Sequence, residues 1–203
     1  MKKLKKYIFL RRLLNDGYLY DKGFIISHIL KTPVNFKREP IPWLTYPLID
    51  FLVPRISNNF TLLEYGAGYS TLFFSKYFKQ IDSVEHNQNW INIIKNKIPP
   101  NCEIICSDDV EINYVSHESI KNNYDVVLID GLFRNACAIN SIKYINSTGI
   151  VIFDDSNRND YLDGFNYLND NGFRRLDFWG LSPGSIRNNC TSIFYREDNC
   201  LGI

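Results

Sequence analysis

Along most of the chain, short runs of consecutive apolar residues alternate with segments whose apolar positions recur every three or four residues. Thr61–Tyr65 (TLLEY), Ile81–Glu85 (IDSVE), Glu103–Cys106, Tyr124–Asp130 (YDVVLID) and Gly149–Asp154 (GIVIFD) read as strands. Several are continuous apolar runs, the pattern of a sheet covered on both faces. Ser70–Phe78, Asn87–Lys97, Arg134–Ile145 and Asn159–Asn171 read as helices. In the second of these, Asn87 is placed to cap, and Trp90, Ile91, Ile94 and Ile98 share one face. The strand–helix alternation predicts an α/β fold with a doubly wound, mostly parallel, Rossmann-like sheet. Phe173–Trp179 and Thr191–Arg196 are two further strands, joined by GLSPGSIRNN with no helical pattern. Without a crossover helix they are expected to pair antiparallel. Their connection, Leu181–Asn189 with Arg187, is expected to be a loop placed to set substrate specificity.

Upstream, Lys31–Pro42 (KTPVNFKREPIP) reads as a connector because of its prolines. Residues 1–42 are therefore a basic, helical N-terminal extension with its linker, and 43–203 the main domain. Trp43–Ile56 is predicted helical, with Thr45 as N-cap, Pro47 in the first turn and Pro54 disturbing the end.

Length and composition narrow the class. A chain of 203 residues with 45% hydrophobic and 15% aromatic residues suits one globular domain. The net charge of +1 provides no global field for nucleic acid. The 5 cysteines are scattered, form no C-x-x-C pair and read as small apolar residues in a reducing compartment. No apolar run reaches the ~18–20 residues needed to span a bilayer, and a cytoplasmic location is expected. Residues 1–14 carry Lys2, Lys3, Lys5, Lys6, Arg11 and Arg12 without an acid. The first reading is a solvated basic helix. The alternative is peripheral contact with anionic lipid.

The candidate chemistry begins where the first strand ends, in Glu64-Tyr65-Gly66-Ala67-Gly68-Tyr69-Ser70-Thr71. Two glycines at a strand-to-helix turn permit a sharp bend and close approach of a ligand. Thr71 stands where a dinucleotide site has its third glycine, so that fingerprint is incomplete. Glu64, at the mouth of the turn, is expected to repel a pyrophosphate and favour a ligand with ammonium or sulfonium groups. S-adenosylmethionine carries both. Glu85 closes the second strand about 20 positions further on, where an acid accepts hydrogen bonds from ribose hydroxyls. His86 follows it and is a candidate for the adenine edge. Asp108, after the third strand, is a candidate acceptor for the adenine amino group.

These motifs, together with S-D-D, D-V-V-L-I-D-G, G-I-V-I-F-D-D-S and the terminal strand pair, resemble the class I S-adenosylmethionine-dependent methyltransferases from about Trp43 to Arg196. The resemblance implies a seven-stranded sheet. It places Glu64, Gly66 and Gly68 around the methionine part of the cofactor, Glu85 at the ribose, and Asp108 at the adenine, and Ala67 and Ser70 of the same turn are further cofactor-binding candidates.

Methyl transfer needs alignment above all, and a base where the acceptor is a hydroxyl. Asp130 and Asp155 close adjacent strands, on the side where open α/β sheets bind ligands. They are the candidate catalytic acids, with Asp130 also beside the cofactor. Arg134, Trp43 and Tyr46 are the candidate substrate-binding residues, Arg134 as a clamp for an acidic group and the aromatics as a lid. Catechol-type O-methyltransferases hold magnesium with Asp and Asp-Asn at these strand ends. Here Asp130 and Asp155-Ser156 lack the Asn, so no metal is expected. No D-P-P-Y-type sequence marks an amino acceptor, which favours oxygen. The expectation is O-methylation of a small molecule or glycan precursor. The alternatives are an aminopropyltransferase of the spermidine synthase type, a nicotinamide-dependent oxidoreductase, and a cofactor-binding partner without catalysis.

Overall fold

The computed structural model describes residues 2–203, with the side chains of residues 2–4 and 13 outside that description. Met1 and those side chains belong to the basic segment considered above, and so lie outside the described residues. The N-terminal part forms α1 (Lys2–Asn15), α2 (Tyr18–Asp21) and α3 (Phe24–Leu30). The helix α4 (Tyr46–Leu52) follows, and a tighter turn at Val53–Arg55 ends it where Pro54 removes a donor. The alternating region is β1 (Thr61–Tyr65), α5 (Tyr69–Phe74), β2 (Gln80–Glu85), α6 (Gln88–Ile94), β3 (Cys102–Cys106), α7 (Glu111–Val115), β4 (Tyr124–Ile129), α8 (Arg134–Tyr144), β5 (Ile145–Phe153) and α9 (Leu162–Asp170). The chain closes with β6 (Arg174–Ser182) and β7 (Ser185–Tyr195).

The strands form one seven-stranded sheet in the order β3-β2-β1-β4-β5-β7-β6. The first five are parallel, and β7 is antiparallel to both β5 and β6. This is the expected doubly wound sheet with a C-terminal antiparallel pair. The order reverses between β1 and β4, so the crevice beyond their carboxyl ends is where a ligand fits.

Strand alternation sorts the core into two layers. Leu63 and Tyr65 of β1 pack with α7, α8 and α9 through Tyr114, Cys137 and Phe165. Leu62 faces the opposite layer with α4, α5 and Phe24 of α3. The N-terminal extension thus adds side chains to the second layer.

Three local expectations are corrected. The segment Leu181–Asn189 is not a loop, because β6 runs to Ser182 and β7 starts at Ser185. Only Pro183 and Gly184 turn, the residue order of a tight turn with positive φ at the glycine (71°). The polar residues that suggested a loop lie on an edge hairpin, where both faces can meet water. The strand β5 begins at Ile145, upstream of Gly149, with a register irregularity against β4. The short helix α7 had no counterpart in the sequence pattern.

The ends of β1 and β4 approach very closely. Gly66 has φ 101°, and a Cβ there would lie 2.9 Å from the Gly131 Cα. A Cβ on Gly131 would lie 2.1 Å from the Tyr114 hydroxyl and 3.0 Å from the Gly66 nitrogen. Gly131→Ala is expected to lower stability by about 1–3 kcal/mol, read as a fall in the urea midpoint at unchanged slope. An unchanged midpoint would show that the two turns do not need this contact.

Candidate active site

The β1–α5 turn is shaped from beneath. Leu62 and Glu64 share a face of β1, and that face is covered by α5. The Glu64 side chain is therefore fully buried, with one carboxylate oxygen accepting from the Ser70 hydroxyl and the other from Thr71. Ser83, opposite Glu64 on β2, donates a third hydrogen bond at 2.7 Å. The Thr71 Oγ1 in turn accepts from the Gly68 N–H at 2.9 Å. Burial raises the Glu64 pKa, and the three hydroxyls pull it back. The expectation that Glu64 stands at the mouth of the turn facing a ligand is corrected: alternation points it into the layer below, where it fixes the loop. Thr71, the position that breaks the dinucleotide fingerprint, is a working part of that lock.

Above the turn lies a cavity of about 580 Å³. Gly66, Ala67, Gly68 and Ser70 line it, as do Glu85, His86 and Asp130. The structure thus brings seven of the proposed cofactor-binding residues to one cavity. At Glu85, Oε1 accepts from the backbone N–H groups of His86 (2.9 Å) and Asn87 (2.8 Å) and sits 3.0 Å from His86 Nδ1. Its Oε2 has no hydrogen bond among the described residues. Asp108 is not in this cavity. It is exposed, and accepts from the Val110 N–H (3.1 Å) and Asn113 Nδ2 (2.9 Å), which makes it a turn acid at the start of α7. Next to it, the buried Ser107 Oγ has no partner among the described residues, and the Ser107 N–H donates to the Glu85 carbonyl at 2.9 Å.

Three walls of the cavity were not foreseen. Tyr114 of α7 reaches in and donates to the Val84 carbonyl at 3.3 Å. Trp90 donates from Nε1 to the Ala67 carbonyl at 2.8 Å and stacks on Tyr69, so a residue placed only on the apolar face of a helix covers the turn. Lys31, Thr32 and Pro33 come from the N-terminal connector. Lys31 forms no ion pair among the described residues.

A second cavity, of about 520 Å³, opens between the ends of β4 and β5 and the β6–β7 hairpin. Asp130, Asp154, Asp155 and Arg187 line it. Asp130 and Trp43 line both cavities, so the two meet there. Trp43 is 48% exposed, consistent with a lid or partition. Tyr46 is 1% exposed and packs in the core, so its expected place over the cavity is corrected. The N1 position of α4 turns it inward, while Trp43, before the helix, points out.

The strand-end acids are tied together by Arg134. Its guanidinium donates to the carbonyls of Gly131 (3.1 Å), Asp130 (2.9 Å) and Asp154 (2.7 Å). It also pairs with Asp130 Oδ1 (3.0 Å) and Asp155 Oδ2 (3.4 Å). With these partners filled it has no fork free for a substrate, and its expected role as a substrate clamp is corrected to that of a strut. Asp155, at φ 55°, is further held by Arg158 and by Asn189 Nδ2 (2.9 Å). Asp154, unassigned from the sequence, is 4% exposed and accepts from Thr191 Oγ1 at 2.6 Å.

Asp130 and Asp154 titrate as a pair. Burial pushes Asp130 up to about 6, against the lowering effect of Arg134. Burial pushes Asp154 well above the usual carboxylate range, with Asp130 and Asp155 adding to the rise. Near neutral pH the pair therefore keeps one proton. The folded state binds protons that the unfolded chain has released above about pH 4, so Asp130 costs stability as pH rises from about 4 through 6, and Asp154 extends the cost to higher pH. Asp130→Asn removes the Asp130 share of that cost. Wild type is expected to lose on the order of 2 kcal/mol relative to the variant between pH 4.5 and 7.5, in urea denaturation at each pH. A difference that stays constant would refute the raised pKa.

No protein-family model matches the chain, and no curated protein matches it. Among solved structures it is similar to the precorrin-6y C5,15-methyltransferase of Geobacter metallireducens, at 12% identity, covering 74% of this chain and 87% of that one with a TM-score of 0.57. It is also similar to the N-methyltransferase NodS of Bradyrhizobium japonicum (12% identity, 73% and 92% covered, TM-score 0.52). The spermidine synthase of Thermotoga maritima matches at 14% identity, covering 78% of this chain and 59% of that one, with a TM-score of 0.56. The chain has the Rossmann-like fold of the class I S-adenosylmethionine-dependent methyltransferases.

Proposed function

We propose that this protein is an S-adenosylmethionine-dependent methyltransferase that methylates a hydroxyl of a small polar molecule, such as a glycan precursor. The observation that carries the reading is the junction of two cavities at Asp130 and Trp43. One cavity has the features of a nucleoside site, and the other is a separate polar chamber. A donor in the first meets an acceptor in the second over a carboxylate with its pKa near 6.

The residues of the first cavity fit the cofactor. Glu85 Oε2 is free for the ribose hydroxyls, and the Gly66–Gly68 backbone admits a close ligand. The unpartnered Ser107 hydroxyl beside Glu85 supports a further polar contact at that end. Asp130 on the wall disfavours the pyrophosphate of a dinucleotide, and this electrostatic preference now rests on it instead of on Glu64. When bound, the cofactor supplies an electrophilic methyl group on a sulfonium.

The chain's own residues then do the rest. Asp130, ionised and steadied by Arg134, accepts the proton of the acceptor hydroxyl. Asp154, protonated beside it, keeps the pair at a single negative charge. Trp43 covers the junction and limits water there. Lys31 is a cation on the wall of the first cavity, a counter-ion for the amino-acid carboxylate of the donor. That feature favours the methyl donor over the aminopropyl donor of spermidine synthase chemistry, which has lost its carboxylate.

Calorimetry with the full chain is expected to show binding of S-adenosylmethionine and S-adenosylhomocysteine, and none of NADH. Asp130→Asn is expected to lower kcat for methyl transfer by about 10²–10⁴-fold, and the wild-type profile should rise through about pH 6. NADH binding in place of the homocysteine nucleoside would sink the reading. Lys31→Met is expected to weaken S-adenosylhomocysteine by about tenfold while leaving 5′-methylthioadenosine, which has no carboxylate, unchanged. Equal loss for both ligands would remove Lys31 from the carboxylate.

A further inference from the structure

The second cavity has an unusual lining for a small-molecule site, since such sites are mostly apolar. Trp43 is the one apolar side chain among its lining residues. The remainder are acids, amides, hydroxyls and arginines, so a lipophilic or purely aromatic acceptor would leave many polar groups unmatched. The unmatched groups are specific. The side-chain amides of Asn157 and Asn188 line the cavity and make no hydrogen bond among the described residues. The Trp43 indole is half-exposed and has no ring partner among them.

The charges on this wall nearly all have partners within the protein. Asp130 pairs with Arg134, and Asp155 with Arg134 and Arg158. Asp154 accepts from Thr191 Oγ1 at 2.6 Å, and burial raises its pKa. Arg187, on β7, is left over: it lines the cavity, is exposed, and has no ion pair among the described residues. A guanidinium offers a planar fork that suits a carboxylate or a phosphate.

We infer that the acceptor is an anionic sugar, a polyhydroxylated ring carrying a phosphate or carboxylate. The charged group sits on Arg187, the ring lies against the Trp43 indole, its hydroxyls bond to Asn157 and Asn188, and one hydroxyl faces Asp130. This deepens the methyltransferase reading and rests on it. Transfer to that hydroxyl forms an O–CH3 bond and breaks the S–CH3 bond, whose electron pair stays on sulfur, while the hydroxyl proton goes to the Asp130 carboxylate.

The test is calorimetry of the full chain saturated with S-adenosylhomocysteine. The probes are a set of hexose 1-phosphates, the matching uronates, the neutral hexoses and inorganic phosphate. At least one phosphorylated or carboxylated sugar should bind about tenfold or more tighter than its neutral counterpart, and which of the two does so identifies the anion. Arg187→Gln should erase that gap and leave S-adenosylhomocysteine affinity as it was. Trp43→Ala should weaken the sugars and leave inorganic phosphate unaffected. Neutral hexoses that bind as well as anionic ones, inorganic phosphate that binds as well as the sugar phosphates, or no binding by any sugar while S-adenosylhomocysteine binds, would each overturn the inference. Failure of S-adenosylhomocysteine itself to bind would overturn the methyltransferase reading and this one with it.

Discussion

One guanidinium holds the two strand ends that the site depends on. Arg134 opens α8, and its fork reaches back to the carbonyls of Asp130 and Gly131 after β4 and to the carbonyl of Asp154 after β5. These carbonyls have left the sheet ladder and need donors. A single planar donor group supplies them and also neutralises Asp130 and Asp155. The carboxyl groups at this junction would otherwise repel one another in a poorly solvated space. Burial raises the pKa of both Asp130 and Asp154, their crowding adds to the rise, and Arg134 pulls against it, so the strut that shapes the junction also moderates its acid–base state.

The sheet was legible because buried parallel strands must be apolar on both faces and because helices repeat at their own period. Glycine positions and strand-end acids were legible for a similar reason: backbone turns and carboxyl-terminal crevices constrain residue type locally. Side-chain direction was less so. Period-two alternation already places Glu64 with Leu62, on the face that α5 covers, and the hydroxyls of Ser70 and Thr71 just downstream were the signal that it would be satisfied there. Arg134 and Asp108 were read as ligand-facing, but each is claimed by nearby backbone groups that a linear pattern does not display. Tyr46, the first residue of α4, is drawn into the core, while Trp43 precedes the helix and points out.

The residues that reasoning from the chain alone missed share a feature: they come from distant segments. Tyr114 lies in the β3–β4 crossover, Trp90 in α6, and Lys31 in the N-terminal connector, and only the tertiary fold brings them to one cavity. Asp154 was hidden by its neighbour. Two consecutive acids end β5, and alternation alone does not say which of them turns toward Asp130.

The N-terminal segment bears on both cavities at once. It contributes Lys31 to the first and leads directly into Trp43 at the junction. It also contacts the hairpin that walls the second, through His28 Nδ1 at 2.9 Å from the Gly184 carbonyl, where a Cβ on Gly184 would lie 2.8 Å from the His28 nitrogen. The hairpin carries Arg187. A segment outside the alternating pattern therefore touches the first cavity, the junction and the hairpin that walls the second cavity. In an open α/β sheet the crevice at the strand ends is general, and what distinguishes one chain from another is what closes over it. Here the closing elements are this segment and the terminal hairpin, which meet at the contact between His28 and Gly184.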